Sequence, residues 1–428
     1  MKLIIPIVFY RKGGVERVII ALISSLIEQV EQIVIITFPK DQVYFQELLP
    51  KSDKITYELW DFSTDNQILR KVSLFNKILL IIQKLRLIFL IPFLEKKIRY
   101  LRISGRINNL VKKYNIDHCL YVLINRLEPP EIMIPLSGIV YDLFWHFAPL
   151  TYPDDYISEY DRCLLLWLDK AKIIFTISDK TRDDIISIFS DSSLISKSKL
   201  CSIPLSGFPS HDTERDINIT LTESENQPTI FYFPSSFGIY KDHLTLIKAG
   251  LKLAEKGLDF RIVFIGKETD NLINGNLSLS QQSKTQEYSD YLNKCNQIYQ
   301  ANKGLMDKYF KGLGYCDYKT VEYYYQICSC VVFPSQYEGF GLAVSEAIVR
   351  GIPVISSDLE VLKEQSILYQ CLDRIDYYEK GNVDALVNCL EQFINHPKPR
   401  LSDEEIKDRF YHWTWQDVAK KYVDVLSS

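Results

Sequence analysis

The stretch that decides the fold is FPSQYEGFGLAVSEAIVRGIPVISSD, residues 333–358. It starts at the end of an apolar run, 331–334, and passes through a loop with two glycines. A segment near 342–350 then shows apolar residues at helical spacing, and a second apolar run, 353–356, follows Gly351. Strand, loop, helix and strand in this order are typical of a parallel sheet in an α/β domain.

The loop at 337–341 is suited to an anion. Backbone N–H groups are unpaired where a helix begins, and glycines let a ligand approach the backbone closely. The sequence therefore predicts that a diphosphate binds where this loop passes into the helix, at Gly339, Phe340, Gly341 and Leu342.

Two glutamates flank this predicted phosphate site. Glu346 lies about 160° around the helix from the apolar residues Val344, Ala347 and Ile348, so we expect it outside the core. It is also about 6 Å along the axis from Leu342, within reach of a ribose. Glu338 precedes the helix, where a sugar beyond the diphosphate would lie. The alternative is a solvated glutamate beside a simple turn.

The same alternation occurs twice along the 428 residues, a length that favours two domains. Apolar strand-like runs and helical patterns fill 3–38 and begin again at 229–265. The polar stretch 206–227, directly before the second set, is typical of a linker between domains. We expect an α/β fold of two Rossmann-like domains facing a central cleft. The predicted divisions are a first Rossmann-like domain 1–205, a linker 206–226, a second Rossmann-like domain 227–401, and a helix 402–428 packing back on the first domain.

Composition excludes several classes of function. A net charge of −4 gives no reason to expect nucleic acid as a partner. The 9 cysteines form no CxxC pair and the 6 histidines form no HExxH cluster, so no metal site of these kinds is expected. No secretory signal precedes the apolar run after Met1-Lys2, which favours the cytoplasm.

Several segments together resemble the retaining glycosyltransferases of family 4, the glycosyl transferases group 1. Glu338 and Glu346 match the family's E-x7-E pair, and Arg11-Lys12-Gly13-Gly14-Val15-Glu16 resembles its N-terminal GG-x-E loop. FPSSFGIYKDHLTLIKA resembles the segment with the phosphate-binding lysine, here Lys241, and the segment from Gly312 resembles the one that contacts the nucleobase, near Tyr315. Trp415-Gln416-Asp417-Val418-Ala419 is similar to the family's closing helix.

The resemblance implies the GT-B architecture, in which 1–205 is the acceptor-side domain and 227–401 the nucleotide-sugar-binding domain, and it implies a set of site residues. The implied catalytic residues are Glu338, Lys241 and Asp142. The implied donor-binding residues are Gly13, Gly14, Glu16, Ser235, Lys241, Tyr315, Gly339, Phe340, Gly341, Leu342 and Glu346. No metal and no other cofactor is expected, because Lys241 and the amides after Glu338 would neutralise the leaving diphosphate, and the chain has no Asp-x-Asp triplet.

The implied function is transfer of a hexose-type sugar from a nucleoside-diphosphate donor to a glycan or lipid-linked acceptor, in polysaccharide or glycolipid synthesis. Two alternatives stay open: an epimerase or phosphorylase on the same fold, and a non-catalytic nucleotide-sugar-binding subunit. Tyr141 where relatives have histidine, with His146 nearby, and serines at 235–236 where relatives often have arginine favour the non-catalytic alternative.

A basic and apolar stretch at 71–106 has nine lysines and arginines and one acid, Glu95. Lys84, Arg86 and Pro92 interrupt its apolar runs, so a spanning helix is not predicted. Two interpretations stay open: a surface that docks on anionic lipid at the inner face of the membrane, or core-packed helices with solvated lysines.

Overall fold

The fold is described from a computed structural model. The structure describes residues 1–7, 13–60, 77, 91–148, 152–197, 199–208, 228–278 and 285–428, with backbone alone for 91–96 and 196–197. Most of the linker expected at 206–226 and most of the basic stretch at 71–106 therefore lie outside the described residues, as do Arg11 and Lys12.

The N-terminal half contains a parallel sheet of seven described strands in the order β3-β2-β1-β4-β5-β6-β7. The strands are β1 (Lys2–Pro6), β2 (Gln32–Thr37), β3 (Ile55–Leu59), β4 (His118–Tyr121), β5 (Leu136–Val140), β6 (Ile173–Thr176) and β7 (Leu200–Ser202). The helices are α1 (Gly14–Gln29), α2 (Pro39–Leu48), α3 (Ile91–Tyr114), α4 (Phe144–Phe147), α5 (Asp154–Lys170), α6 (Asp179–Ile188) and α7 (Ser193–Lys197).

The C-terminal half contains a parallel sheet of six described strands in the order β10-β9-β8-β11-β12-β13. The strands are β8 (Thr229–Pro234), β9 (Phe260–Ile265), β10 (Phe310–Gly312), β11 (Cys330–Phe333), β12 (Val354–Ser357) and β13 (Ile375–Tyr378). The helices of this half are α8 (His243–Glu255), α9 (Thr269–Ile273), α10 (Gln286–Ala301), α11 (Lys303–Tyr309), α12 (Tyr318–Ile327), α13 (Leu342–Ile348), α14 (Glu360–Leu368), α15 (Val383–Asn395) and α16 (Asp403–Phe410).

Both sheets are buried on two faces, which explains why their strands are apolar runs without alternation. Strand β2 aligns with β1 from Gln32 beside Lys2 to Ile36 beside Pro6. Helices cover both faces of each sheet, so each half has the three layers of a Rossmann-like domain. The predicted α/β fold with two Rossmann-like halves is confirmed.

The last helix, α17 (Trp415–Ser427), packs against α1 in the N-terminal half. Its apolar residues Val418, Ala419, Tyr422 and Leu426 are buried in the core cluster of that half. The sequence predicted one helix over 402–428, whereas the structure breaks it between Phe410 and Trp415. Thr414 caps the second helix by accepting the N–H of Asp417, so a new helix starts there.

Within the part of the chain that the structure describes, no helix has the length and hydropathy that crossing a bilayer requires. Arg106, from the described end of the basic stretch, pairs with Glu58 at 2.8 Å and donates to the carbonyl oxygen of Leu59. This arginine therefore serves the contact between α3 and β3.

Candidate functional site

The candidate site lies where strands of the two sheets end. In doubly wound sheets, ligands bind beyond the carboxyl ends of strands at the point where the strand order reverses. That point lies between β1 and β4 in the first sheet and between β8 and β11 in the second. Gly13 follows β1, Lys241 follows β8 and Glu338 follows β11. The fold thus places all three predicted residues after strands at these two points of reversal, and it brings Lys241 and Glu338 into contact.

Lys241 and Glu338 form an ion pair, with 2.6 Å between Nζ and Oε1. Lys241 ends a short 3-10 turn, Ile239–Lys241, and Asp242 adopts a left-handed conformation and caps α8 by accepting the N–H of Thr245. Gln336 donates to Asp242 and its N–H donates to the carbonyl oxygen of Tyr240, which ties the lysine turn to the loop before Glu338. The sequence predicted both residues in the site, and the structure brings them into contact.

Asp142 faces the same pair from the N-terminal half. It follows β5, and its Oδ1 accepts the N–H of Phe144 at 3.3 Å. Burial raises the pKa of Asp142 to about 6, while Lys241 opposes and Glu338 adds to this increase. A carboxyl group with such a pKa, beside a cation from the other half, is typical of a functional cleft.

Glu346 differs from the prediction that it lies outside the core. It is 3% exposed, its Oε2 accepts the hydroxyl of Tyr325 at 2.7 Å, and its Oε1 pairs with Arg17 at 2.6 Å. The helical periodicity placed it on the side of α13 opposite the sheet, but α12 and the N-terminal half cover that side. One sequence cannot show this cover, because it depends on how the two halves pack.

The glycine loop also has a role that the sequence did not reveal. A Cβ on Gly339 would lie 2.0 Å from the carbonyl oxygen of Tyr141, so this glycine permits close contact between the two halves. The carbonyl oxygen of Gly339 accepts Ser178 Oγ at 2.6 Å and Thr181 Oγ1 at 3.2 Å. Phe340 is buried in the N-terminal core. The prediction that Gly339 and Phe340 bind diphosphate is not tested by these contacts, but the contacts show that both join the halves.

Gly341 and Leu342 begin helix α13. Gly341 has a φ of 85°, a backbone conformation that favours glycine, and it precedes the first helical residue. Leu342 lies beside Gly14, since a Cβ on Gly14 would be 3.5 Å from its Cδ1. The starts of α1 and α13 therefore lie against each other where the two halves meet.

The N-terminal glycine loop is shaped by Glu16. Gly13 has a φ of 147°, and its N–H donates to Glu16 Oε2 at 3.1 Å. The hydroxyl of Tyr44 donates to the other carboxylate oxygen. These contacts make Glu16 a support for the loop, and a direct contact with the donor stays a prediction. Among the described residues, no atom would lie within 4 Å of a Cβ at Gly13.

The side chain of Tyr141 packs in the N-terminal core and does not line the candidate site. It is 5% exposed, belongs to the N-terminal core, and its hydroxyl has no hydrogen-bond partner among the described residues. His146 is bound to Asp161 at 2.7 Å, and that same oxygen accepts Trp145 Nε1. Among these residues, the structure therefore places Asp142, rather than Tyr141 or His146, next to Lys241 and Glu338.

Two further predicted residues lie at the edge of the site. Ser235 follows β8, and its carbonyl oxygen accepts Nε2–H of His243 at 3.2 Å. Burial lowers the pKa of His243 to about 3, so its imidazole is neutral. Tyr315 follows β10 and is 66% exposed, which leaves its ring open to a ligand.

Sequence reasoning missed Arg17, Tyr325 and Tyr337. Tyr337 accepts the N–H of Leu143 at 2.9 Å and stacks on Phe147 with 4.2 Å between ring centroids. The position of Arg17, directly after Glu16, could have indicated its role, whereas the tyrosines gave no signal in one sequence. No group of three or more metal-ligating side chains occurs among the described residues.

Comparison with known proteins gives a family match over part of the chain. Residues 214–408 match the model described as glycosyl transferases group 1. Over 273 residues the chain is 24% identical to an uncharacterized glycosyltransferase of Methanocaldococcus jannaschii, covering 63% of this chain and 61% of that protein. It is 25% identical over 234 residues to O-antigen chain mannosyltransferase B of Escherichia coli, covering 52% of this chain and 53% of the relative. The matched parts span less than two thirds of each relative.

Solved structures share the fold at low sequence identity. Sucrose-phosphate synthase from Thermosynechococcus elongatus superposes with a TM-score of 0.64 and 13% identity, covering 99% of this chain and 98% of that chain. Anabaena HepE, solved in complex with UDP and glucose, gives a TM-score of 0.59 and 13% identity, covering 100% of this chain and 99% of that chain. The two sheets and their order therefore form the GT-B architecture.

Proposed function

We propose that the protein is a retaining glycosyltransferase with a nucleoside-diphosphate hexose as donor. The match of residues 214–408 to the model of the glycosyl transferases group 1 supports this proposal. The observation that supports this most is the convergence of Lys241, Glu338 and Asp142 in one cleft, with the ion pair at 2.6 Å. These residues come from both halves, so a donor there is held by both sides of the cleft.

In the proposed complex, the ribose binds Glu346 and the diphosphate binds Lys241 and the amides where α13 begins. The sugar lies between Glu338 and Asp142. Lys241 exchanges part of its contact with Glu338 for the phosphate, so the carboxylate is freed to accept a hydroxyl of the sugar. Charge that develops on the leaving diphosphate is stabilised by this ammonium, without a metal ion.

Transfer then requires one substitution at the anomeric carbon. The bond from that carbon to the diphosphate oxygen breaks, and the bond to the acceptor oxygen forms on the same face. The leaving phosphate takes the proton of the acceptor hydroxyl, so no protein nucleophile is needed. The protein contributes orientation and charge stabilisation, and contact between the halves excludes water.

The proposed acceptor is a glycan or a lipid-linked sugar in polysaccharide or glycolipid synthesis at the cytoplasmic side of a membrane. The name of the Escherichia coli relative, an O-antigen chain mannosyltransferase, supports this class. The complex of Anabaena HepE with UDP and glucose supports a nucleotide-sugar donor on this fold.

We also propose that the stretch 71–106 docks reversibly on anionic lipid. Arg106 is engaged with Glu58, so the cations that contact lipid would be others in the stretch. The test is co-sedimentation with vesicles of phosphatidylcholine, with and without anionic phosphatidylglycerol, at low salt. Binding that requires the anionic lipid supports docking, and equal recovery in the supernatant with both vesicles contradicts it.

The proposed activity is tested by a thermal-shift panel of UDP, GDP, ADP and their sugars in EDTA, followed by a transfer assay with the best donor. We expect one nucleotide to raise the melting temperature and its sugar to be transferred with retained configuration. Stabilisation without turnover would favour the binding subunit, and sugar release or rearrangement without an acceptor would favour the epimerase or phosphorylase. Absence of stabilisation by all of them would contradict the proposed donor site.

A further inference from the structure

Arg17 extends from α1 to α13, where it forms an ion pair with Glu346, the carboxylate that the proposed function assigns to the ribose. Its Nη1 lies 2.6 Å from Glu346 Oε1, and its guanidinium lies 4.3 Å from the centroid of the Phe208 ring and 5.6 Å from that of Tyr318. The side chain of Arg17 is 29% exposed and that of Glu346 is 4% exposed. The arginine therefore closes the open side of a buried carboxylate.

This ion pair conflicts with ribose binding as the proposed function describes it. Glu346 has two carboxylate oxygens, and Tyr325 already donates to Oε2. A ribose diol needs an acceptor on the exposed side, which is the oxygen that Arg17 occupies. A buried carboxylate that loses its cation is destabilised unless other donors replace it. Ribose hydroxyls can donate to Glu346, although they bring no positive charge. The ribose and Arg17 therefore compete for Oε1 of Glu346, and the guanidinium is released when the ribose takes this oxygen.

The released guanidinium has an anion within reach. Glu346 is about 6 Å along α13 from Leu342, where the diphosphate is proposed to bind, a distance that an arginine side chain spans by changing rotamers. The start of α1 already lies against Leu342, because Gly14 is close to its Cδ1. The loop after β8 offers serines at 235 and 236 rather than a cation, and Lys241 is paired with Glu338.

We propose that Arg17 is a donor-phosphate residue that exchanges Glu346 for the diphosphate when the nucleotide binds. This inference rests on the proposed function and extends it to a residue of the N-terminal half. In the free protein Arg17 neutralises Glu346 and holds the halves together. In the complex the ribose takes Glu346, and Arg17 supplies a second positive charge beside Lys241. The exchange makes contact between the halves depend on the phosphate.

The test compares Arg17→Ala and Arg17→Lys with the wild type by calorimetric titration of a nucleoside diphosphate and of its nucleoside. The base is the one, among uracil, guanine and adenine, whose diphosphate stabilises the wild type most. Loss of a charge-assisted contact predicts that Arg17→Ala binds the diphosphate about 10–100-fold more weakly. The same variant binds the nucleoside at least as tightly as the wild type, because Glu346 no longer has a competitor. Arg17→Lys regains part of the diphosphate affinity, since the charge is kept but the planar fork is lost.

Equal weakening of diphosphate and nucleoside in Arg17→Ala would show a structural role and overturn the inference, as would unchanged affinity for both. Arg162→Ala is the matched control: this arginine of the same half pairs with Glu128 and Glu159 and should leave both affinities unchanged. If the wild type binds none of the three diphosphates, the proposed function fails and the inference with it. If the wild type binds a diphosphate but Arg17→Ala shows no selective loss of diphosphate affinity, the inference alone is overturned.

Discussion

At the scale of single residues, the two glutamates beside the glycine loop have different partners, so we expect their substitution to have different effects on binding and turnover. Glu346 is buried between Tyr325 and Arg17, and Glu338 contacts the ammonium of Lys241. The first is therefore suited to a part of the donor that stays unchanged during the reaction. The second contacts Lys241, the group proposed to stabilise the leaving phosphate, so we expect Glu338 to contribute at the reacting end of the donor.

Glu346→Ala should weaken nucleoside diphosphate binding by about 10–100-fold, because charge-assisted hydrogen bonds are lost. Glu338→Ala should bind the nucleotide with little change and lower kcat by about 100-fold or more, as removal of transition-state contacts does. Titration and initial rates separate the two effects, with exposed Glu255→Ala as a control. Wild-type kinetics in both variants would refute the assignment of the pair.

Asp142 makes stability depend on pH in a defined direction. Burial raises its pKa to about 6, whereas an unfolded aspartate has a pKa of about 3.9. Between these values the folded protein holds a proton that the unfolded chain has lost, so the Asp142 contribution to stability falls as pH rises from 4 to 6. The gain in unfolding free energy of Asp142→Asn over the wild type should therefore increase by about 1–3 kcal/mol from pH 4 to pH 7. Denaturant unfolding at both pH values measures it, and a difference independent of pH would contradict the assignment.

At the scale of the elements, the loop between β11 and α13 joins the two halves as well as presenting Glu338. Gly339 lies against the carbonyl oxygen of Tyr141. Gly339→Ala should lower stability by about 1–3 kcal/mol through overpacking, and it should lower activity because Glu338 moves with the loop. Gly304→Ala, on helix α11, is the matched control, since a Cβ there would meet no atom of the described residues within 4 Å. Thermal unfolding measures the stability of both variants, and initial rates measure their activity. Equal effects of Gly339→Ala and Gly304→Ala would contradict this role of the loop.

The elements also show what one sequence can and cannot reveal. The strand, loop and helix around 333–348 follow from apolar periodicity and glycine placement, and the structure has them nearly where predicted. The burial of Glu346 does not follow, because the covering side chains come from α12 and from α1. For the same reason, the contact of Gly339 with Tyr141 could not be foreseen: it joins residues almost two hundred positions apart.

At the scale of the whole molecule, α17 links the end of the chain to the core of the N-terminal half. Tyr422 is fully buried there, and its hydroxyl has no hydrogen-bond partner among the described residues. Tyr422→Ala should cost about 3–5 kcal/mol, as removal of a buried aromatic ring does. Tyr422→Phe should keep or increase stability, because a buried hydroxyl without a partner is lost. The two melting temperatures test this, and a large loss in Tyr422→Phe would show that the hydroxyl has a partner.

The arrangement of both halves around one cleft is the central claim, and a crystal structure of the protein with its preferred nucleoside diphosphate, grown in EDTA, tests it most directly. The account predicts density for the ribose on Glu346 and for the phosphates beside Lys241 and the start of α13, with no ion between them. A nucleotide bound elsewhere, or phosphates that approach neither Lys241 nor Leu342, would contradict the account.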